Sequence, residues 1–294
     1  MIDIGSNSVL CLVAARAADG GTAVLADLLE TTRLATGLRD GGALDPDARD
    51  RTLRAVGAFA ERARGLGARD VVGIGTAALR AAADGPAFAR AITAETGVRV
   101  SVLSGLEEAH LAYAAVARGA AGPLLAVDVG GRSTELVLGD GTRIDDARSL
   151  PLGALALTEE TASASEALAG ARGRVARVLA AQDLPARARA RGARLVASGG
   201  TATALAALDL GLATYDRERV HGHVLDTERV VPIALAGAAG GGAVLDAGRR
   251  RILPAGAVIL EAVARAAGAA CVAVSDRGIR HARADELLAA VGTP

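Results

Sequence analysis

The sequence predicts an α/β protein made of two related halves, and three observations lead there. Two stretches repeat in register: Met1 to Val13 reads MIDIGSNSVLCLV, and Leu124 to Leu138 reads LLAVDVGGRSTELVL. Laying Asp3 on Asp128 places Gly5 on Gly130, Ser8 on Ser133, and Leu12 and Val13 on Val137 and Leu138. Apolar runs of strand length alternate with helical segments after each copy. The chain is 294 residues long, 51% hydrophobic and 22% charged, which suits a folded protein with two cores. The small-residue run Gly119 to Pro123 is the expected joint, giving domains 1–119 and 120–294.

Each repeat reads as strand, turn, strand. In the second copy an apolar run ends in Asp128, turns through Gly130 and Gly131, offers the hydroxyls of Ser133 and Thr134, and re-enters a strand at Leu136. Glycine lets successive N–H groups converge on an anion, and an acid at a strand end can hold a hydrated divalent cation. One such hairpin is an ordinary turn. Two in register suggest that each half offers a phosphate-binding hairpin to a shared cleft.

Composition removes several mechanisms. All 33 basic residues of the Lys+Arg total are arginine, which excludes a Walker-type lysine, a Schiff-base lysine and a Ser-Lys dyad. Formal net charge is +0, so a polyanion has to be held by local arginines, and duplex nucleic acid is not an expected partner. Cys11 and Cys271 sit in apolar runs without CxxC spacing, which reads as buried thiols in a reducing compartment. The longest uncharged run, Val230 to Leu245, contains Pro232 and is too short to span a membrane; no secretory segment precedes the first strand, and the expected location is cytoplasmic. Met1 lies just before Asp3, so the first strand reads as clipped and a truncated N-terminus stays open.

In chain order, Thr22 to Leu29 reads as a strand and Thr31 to Leu44 as a loop in which Arg33 is either an anion contact or a solvated arginine. Asp45 and Pro46 open a helix to about Arg64, stopped by Gly65 and Gly67. Asp70 to Gly75 is a buried strand, and Arg80 follows near its carboxyl end, as a substrate contact or a surface charge. Helix Pro86 to Thr96 leads to strand Val98 to Leu103. Ser104 and Glu107 then fit a capping box, which accounts for Glu107. Glu108 lies off the Leu106, Ala109, Tyr113, Val116 stripe expected to face the core, and is either a general base or a first-turn glutamate favoured by the helix dipole.

Beyond the second hairpin, Thr142 to Leu150 continues the sheet and Leu155 to Ala181 is helical, with a polar break near Ala162 to Ser165. Strand Arg194 to Ala197 runs into Ser198-Gly199-Gly200-Thr201, an anion or nucleotide turn at the start of helix Ala202 to Leu208. Asp216 to His223 is a polar loop in which neither histidine has a partner at ligand spacing. Arg249 to Arg251, either substrate-facing or solvated, precede helix Pro254 to Ala267; strand Cys271 to Val274 and helix Ile279 to Ala290 complete the chain.

With these residues assembled, the chain resembles the exopolyphosphatase and guanosine pentaphosphate phosphohydrolase family of the actin, heat-shock ATPase and sugar kinase superfamily. The matching stretches are DIGSNS (Asp3 to Ser8), TRLATGL (Thr32 to Leu38), GTAALR (Gly75 to Arg80), SGLEEAHL (Ser104 to Leu111), VDVGGRSTELVLG (Val127 to Gly139), LPLGA (Leu150 to Ala154), SGGTATALA (Ser198 to Ala206) and LPAGAVIL (Leu253 to Leu260). The resemblance implies a two-domain actin-like, ribonuclease-H-like fold around a central cleft, and metal-dependent release of terminal phosphate from a phosphoanhydride. It implies Glu108 as catalytic base and supports Asp3, Asp128 and Glu135 as holders of Mg²⁺ or another divalent cation. Substrate phosphate is expected on Gly5, Ser6, Asn7, Ser8, Arg33, Arg80, Gly130, Gly131, Arg132, Ser133, Thr134, Gly199, Gly200 and Thr201.

Four positions depart from the family: Arg132 replaces a glycine in the second hairpin, His110 stands where arginine is usual, and Ala81 and Asp84 replace polar residues. The helical extension of longer polyphosphatases is missing, so short polyphosphate or guanosine pentaphosphate is the favoured substrate. A non-catalytic polyphosphate or alarmone sensor and an ATPase or kinase of the same superfamily are the alternatives, and a homodimer is left open.

Overall fold

The computed structural model describes residues 1–18, 20–159, 164–240 and 244–290. They cluster into two compact units: residues 1–108 with the stretch from Ile279, and residues 109–278.

Unit 1 opens with an antiparallel meander of β1 (Ile2–Ile4), β2 (Val9–Arg16) and β3 (Thr22–Glu30). Then come α1 (Pro46–Gly65), β4 (Val72–Gly75), α2 (Ala77–Ala81), α3 (Gly85–Thr96) and β5 (Arg99–Val102). The sheet order is β3-β2-β1-β4-β5, with β4 parallel to both β1 and β5. Asp45 caps α1 by accepting from the Ala48 amide at 2.8 Å, an interaction typically worth about 1 kcal/mol. Gly97 ends α3 in the left-handed conformation that lacks a steric penalty only for glycine. Ile2, Ile4, Leu12, Leu34, Ile74, Leu79, Phe88 and Ile92 are its largest buried side chains.

The helix α4 (Gly105–Ala117) starts in unit 1 and continues into unit 2. Unit 2 repeats the meander as β6 (Pro123–Val129), β7 (Thr134–Asp140) and β8 (Arg143–Leu150). It continues through α5 (Ala154–Glu159), α6 (Ala164–Ala180), α7 (Leu184–Ala190), β9 (Arg194–Ser198), α8 (Gly199–Asp209), α9 (Arg217–Val220), β10 (Val224–Asp226), a 3₁₀ turn at Thr227–Arg229, α10 (Val230–Ala238), α11 (Ala247–Ala266) and β11 (Cys271–Val274). The sheet order is β10-β11-β9-β6-β7-β8, with β11, β9 and β6 parallel. Leu125, Val127, Leu136 and Leu138 pack with Val258, Leu260 and Val263 of α11, whereas Leu124, Ala126 and Val137 meet Tyr113 of α4. These are the alternating faces of the same strands.

Several expectations need correction. The boundary falls at Glu108 and at Gly278 rather than at 119/120, because α12 (Ile279–Ala290) packs on β2 and β1. Arg280 grips Asp27 through two nitrogens at 3.1 and 2.9 Å, Thr22 donates to Asp285 at 2.6 Å, and Arg16 donates to the Leu288 carbonyl. Ala109 and Tyr113 of the expected α4 stripe are buried and Val116 packs on the same cluster, but Leu106 at the start of the helix is exposed and Glu108 is buried. Cys271 is exposed, on the outward side of β11, while Cys11 is buried. The last long helix starts at Ala247, capped by Asp246, and carries Pro254 in its interior. Helices α7 and α10 were not anticipated, and the polar break expected near Ala162 to Ser165 lies largely outside the described residues.

Candidate active-site residues

The two hairpin turns share the hydrogen bond that closes them. Gly5 N–H donates to the Ser8 carbonyl at 3.0 Å, and Gly130 N–H to the Ser133 carbonyl at 2.9 Å. Strand register matches too: Asp3 faces Leu10 across the first hairpin, and Asp128 faces Glu135 across the second.

In unit 1 the turn residues Ser6, Asn7 and Ser8 are buried together with Asp3. The turn is held from behind by the 31–38 loop, where Arg33 N–H donates to the Asn7 carbonyl at 2.8 Å and Ala35 N–H to the Ser6 carbonyl at 2.9 Å. Arg33 makes its bond with φ at 53°, the one positive-φ non-glycine among the described residues, and its side chain is exposed. A left-handed arginine costs about 1–2 kcal/mol, which marks the position as constrained by something other than stability. Arg80 Nη1 donates to the Leu103 carbonyl at 2.8 Å and to Glu108 Oε2 at 3.0 Å. Arg80 is therefore not a loose surface charge, and Glu108 is a buried carboxylate held by a guanidinium. Glu107 closes the capping box as expected: its carboxylate accepts from Ser104 N–H at 2.7 Å, and Ser104 Oγ accepts from Glu107 N–H at 3.2 Å. Those bonds to Ser104 hold the Glu107 carboxyl below the usual range.

In unit 2 a polar row crosses four strands on the α4 side of the sheet: Ser198, Asp128, Glu135 and Ser149 are successive cross-strand partners. Ser198 Oγ donates to Asp128 Oδ2 at 3.1 Å, and Ser149 Oγ donates to Glu135 Oε1 at 2.8 Å. Two carboxylates facing each other across a strand pair repel unless positive charge or a proton sits near them. Glu135 is 2% exposed, so water screens this pair poorly, and the set fits a hard divalent ion such as Mg²⁺.

The loop is braced from its carbonyl side. Ala154 N–H donates to the Gly130 carbonyl at 2.9 Å, Leu155 and Ala156 donate to Gly131, and Thr134 Oγ1 donates to the Leu152 carbonyl at 2.7 Å. A Cβ on Gly153 would lie 2.3 Å from both the nitrogen and the Cα of Arg132, so the LPLGA glycine is required for this brace. With Arg132 in the second turn, the Gly130 to Ser133 hydrogen bond that matches the first turn is still made.

The Ser198-Gly199-Gly200-Thr201 turn lies against the same strand end. Gly199 has φ at +79°, and a Cβ there would come within 2.2 Å of Asp128 Oδ1. Thr201 Oγ1 donates to the Val129 carbonyl at 3.3 Å. A Cβ on Gly200 would meet the Arg249 guanidinium at 2.6 Å. Arg249, one of the arginines with two open readings, thus stacks on the α8 turn; burial pushes it below the usual arginine range against the pull of Asp246. What the sequence reading missed is the seryl support, Ser149 and Ser198, since strand pairing over long separations has no local signature.

Comparison with known proteins bears on this arrangement. The model of the Ppx/GppA phosphatase family matches residues 13–289. A guanosine-5'-triphosphate,3'-diphosphate pyrophosphatase of Vibrio cholerae serotype O1 is 38% identical over 160 residues, 54% of this chain and 32% of the relative. The Aliivibrio fischeri protein of the same name is 34% identical over 190 residues, 60% of this chain and 38% of the relative. The chain thus spans about a third of the length of the curated relatives it matches. Among solved structures, the Aquifex aeolicus member of the Ppx/GppA family aligns with TM-score 0.79 and 26% identity, covering 100% of this chain and 98% of that one. An exopolyphosphatase of Cytophaga hutchinsonii shares the fold at TM-score 0.86 and 19% identity, covering 99% and 98%.

Proposed function

We propose that this chain, which belongs to the Ppx/GppA phosphatase family, hydrolyses terminal phosphoanhydride bonds of short inorganic polyphosphate or guanosine pentaphosphate. The observation that carries the reading is the pairing of the half-buried Asp128 with the buried Glu135 directly across a glycine turn, a feature that a merely structural hairpin has no use for. Asp128 and Glu135, oriented by Ser198 and Ser149, would hold Mg²⁺ in unit 2, and Asp3 is the corresponding acid of unit 1. When bound, that ion neutralises phosphate charge as the bridging bond breaks.

The remaining steps use this chain's own groups. Turn amides and the hydroxyls of Ser8, Ser133 and Thr134, with the Gly199 to Thr201 turn, bind phosphate oxygens. Arg33 and Arg80 offer planar forks that match phosphate geometry. Glu108 accepts the proton of the attacking water; its Arg80 partner fixes the carboxylate orientation. Arg132 adds a cation to the second turn, which keeps its Gly130 to Ser133 hydrogen bond.

The test is phosphate release from tripolyphosphate, longer polyphosphates, guanosine pentaphosphate and ATP, with and without Mg²⁺. Release from tripolyphosphate or the pentaphosphate that stops on chelation is expected. Activity surviving exhaustive chelation would remove the metal, and ATP as sole substrate would turn the assignment to a kinase-like ATPase.

A further inference from the structure

The two sheets have four outer strands among the described residues, and three of them are defended against pairing with another chain. β5 is only 4 residues long and β10 only 3. β8 sets Arg143, Asp145, Asp146 and Arg148 along its edge. β3 is different: it runs for 9 residues, Thr22–Glu30, without a lysine, arginine or proline. Its acids are Asp27, gripped by Arg280 of α12, and Glu30 at its very end. Three of the large hydrophobic side chains exposed among the described residues line this one strand, Val24 at 38%, Leu25 at 51% and Leu29 at 54%. A long apolar edge of this kind is a template for strand pairing, and native proteins keep such an edge covered.

The hydrogen-bond ladder fixes which backbone groups the edge offers. Met1 and Leu12 exchange both of their bonds at 2.9 Å, so Ser8, Leu10 and Leu12 face β1 while Val9, Cys11 and Val13 face β3. The partners of those three are Glu30, Leu28 and Ala26. Asp27 and Leu29, lying between them, direct N–H and C=O away from β2. The ladder is regular from Ala26 to Glu30 and is interrupted at Leu25, where the register shifts between Val13 and Ala14.

We infer that β3 is an interface between two copies of this chain, the two strands pairing antiparallel about a two-fold axis at Leu28. Such a pair is self-complementary, so one edge serves both copies and association closes at a dimer. Outward-facing residues have to meet outward-facing residues. An axis at Asp27 would set two carboxylates face to face, which opposes pairing. With the axis at Leu28 the regular run pairs with itself, Leu29 opposite Asp27 and Ala26 opposite Glu30. The two Leu28 side chains are then directly opposed on one face, and the two Leu29 side chains meet on the diagonal of the other. A strand of this length spans about 30 Å, which puts the pair at the small end of specific interfaces, below ~1,200 Å², with a Kd of about 1–100 µM. The interface does not depend on the proposed hydrolysis.

Sedimentation equilibrium of the full chain from about 1 to 500 µM, a range bracketing that Kd, is expected to show a reversible monomer–dimer equilibrium. Hydrogen exchange read by mass spectrometry should slow in the 22–30 segment as concentration rises, because the Asp27 and Leu29 amides gain acceptors. Leu29→Pro removes an N–H that β2 does not use, a substitution edge strands tolerate. It deletes two symmetry-related bonds between the copies and should weaken association by about 10- to 100-fold. Leu235→Ser, at an exposed leucine of α10, should leave association unchanged. A chain that stays monomeric throughout overturns the interface, as does a dimer whose 22–30 exchange ignores concentration or one that folded Leu29→Pro retains at full strength. If Leu29→Pro does not fold, the exchange of the unmodified chain decides alone.

Discussion

The two hairpins share turn, register and the acid at the first strand end, yet the rows that run through those acids differ. In unit 2 the row is Ser198, Asp128, Glu135, Ser149; in unit 1 it is Ile74, Asp3, Leu10, Leu29. The repeated frame thus carries a dense oxygen cluster in one unit and a single carboxylate among aliphatic neighbours in the other. The groups that unit 1 adds come from outside the hairpin, Arg33 from the following loop and the Arg80–Glu108 pair from α2 and α4. The difference teaches that the backbone motif and the chemistry are separable: the first sets where an anion sits, the second is written in the cross-strand neighbours.

The sharpest way to break this division is at Glu108. Glu108→Gln should lower kcat by about 10²- to 10⁴-fold with tripolyphosphate binding retained, while Glu107→Gln, which can still cap α4, stays near wild type in steady-state phosphate release. Equal losses in both would return Glu108 to a structural role. The next effect belongs to the seryl supports. Ser149→Ala or Ser198→Ala should raise the Mg²⁺ concentration for half-maximal activity by about 10- to 100-fold. Leu10→Val, at the matching site of unit 1, should not move it, and a shift there would deny the asymmetry.

Smaller effects sharpen the comparison through the backbone. Gly199→Ala forces a side chain into φ of +79° and against Asp128, so a loss of about 1–2 kcal/mol in denaturant unfolding is expected, along with weaker Mg²⁺ dependence of activity. Arg33→Gly should act in the opposite direction on stability, raising Tm through a relief of roughly 1 kcal/mol, while KM for the phosphate substrate rises. An unchanged Tm would mean that the positive φ carries no strain.

The smallest effect concerns acid. Burial pushes Asp146 upward, but the Arg187 and Arg148 guanidiniums outweigh it and hold the carboxyl below the usual range. A pKa lower in the folded than in the unfolded chain stabilises above the unfolded value of about 3.9 and is lost as pH falls through the folded one. The contribution of such screened pairs is under about 1 kcal/mol. Arg187→Ala should therefore flatten acid unfolding below about pH 4, read by circular dichroism, and change nothing at neutral pH.

Much of this was legible because it is local. The Asp-x-Gly-x-x-Ser repeat, the Asp45 cap and the Ser104–Glu107 box each lie within a few residues, and all appear as read. The Arg80–Glu108 pair joins positions 28 apart, and Ser198 reaches Asp128 across 70; nothing in a single chain announces such meetings. Leu106 misled because it sits in the first turn of α4, where the helix has not yet reached the core that covers Ala109 and Tyr113 one turn later. Pro254 misled as a boundary because α11, anchored by packing with α6 and α10, tolerates the missing amide.

Helix α12 is the last described element to be synthesised, and it is laid against the first strands. Unit 2 is one uninterrupted stretch between residues 109 and 278 and can close while the ribosome is still adding the remainder. Unit 1 cannot, since β2 waits for a helix separated from it by the whole of unit 2. The half that emerges first is completed second, and the nascent chain carries an uncovered sheet face for most of its elongation. That interval, rather than the finished protein, is where a chaperone or a protease finds its opportunity.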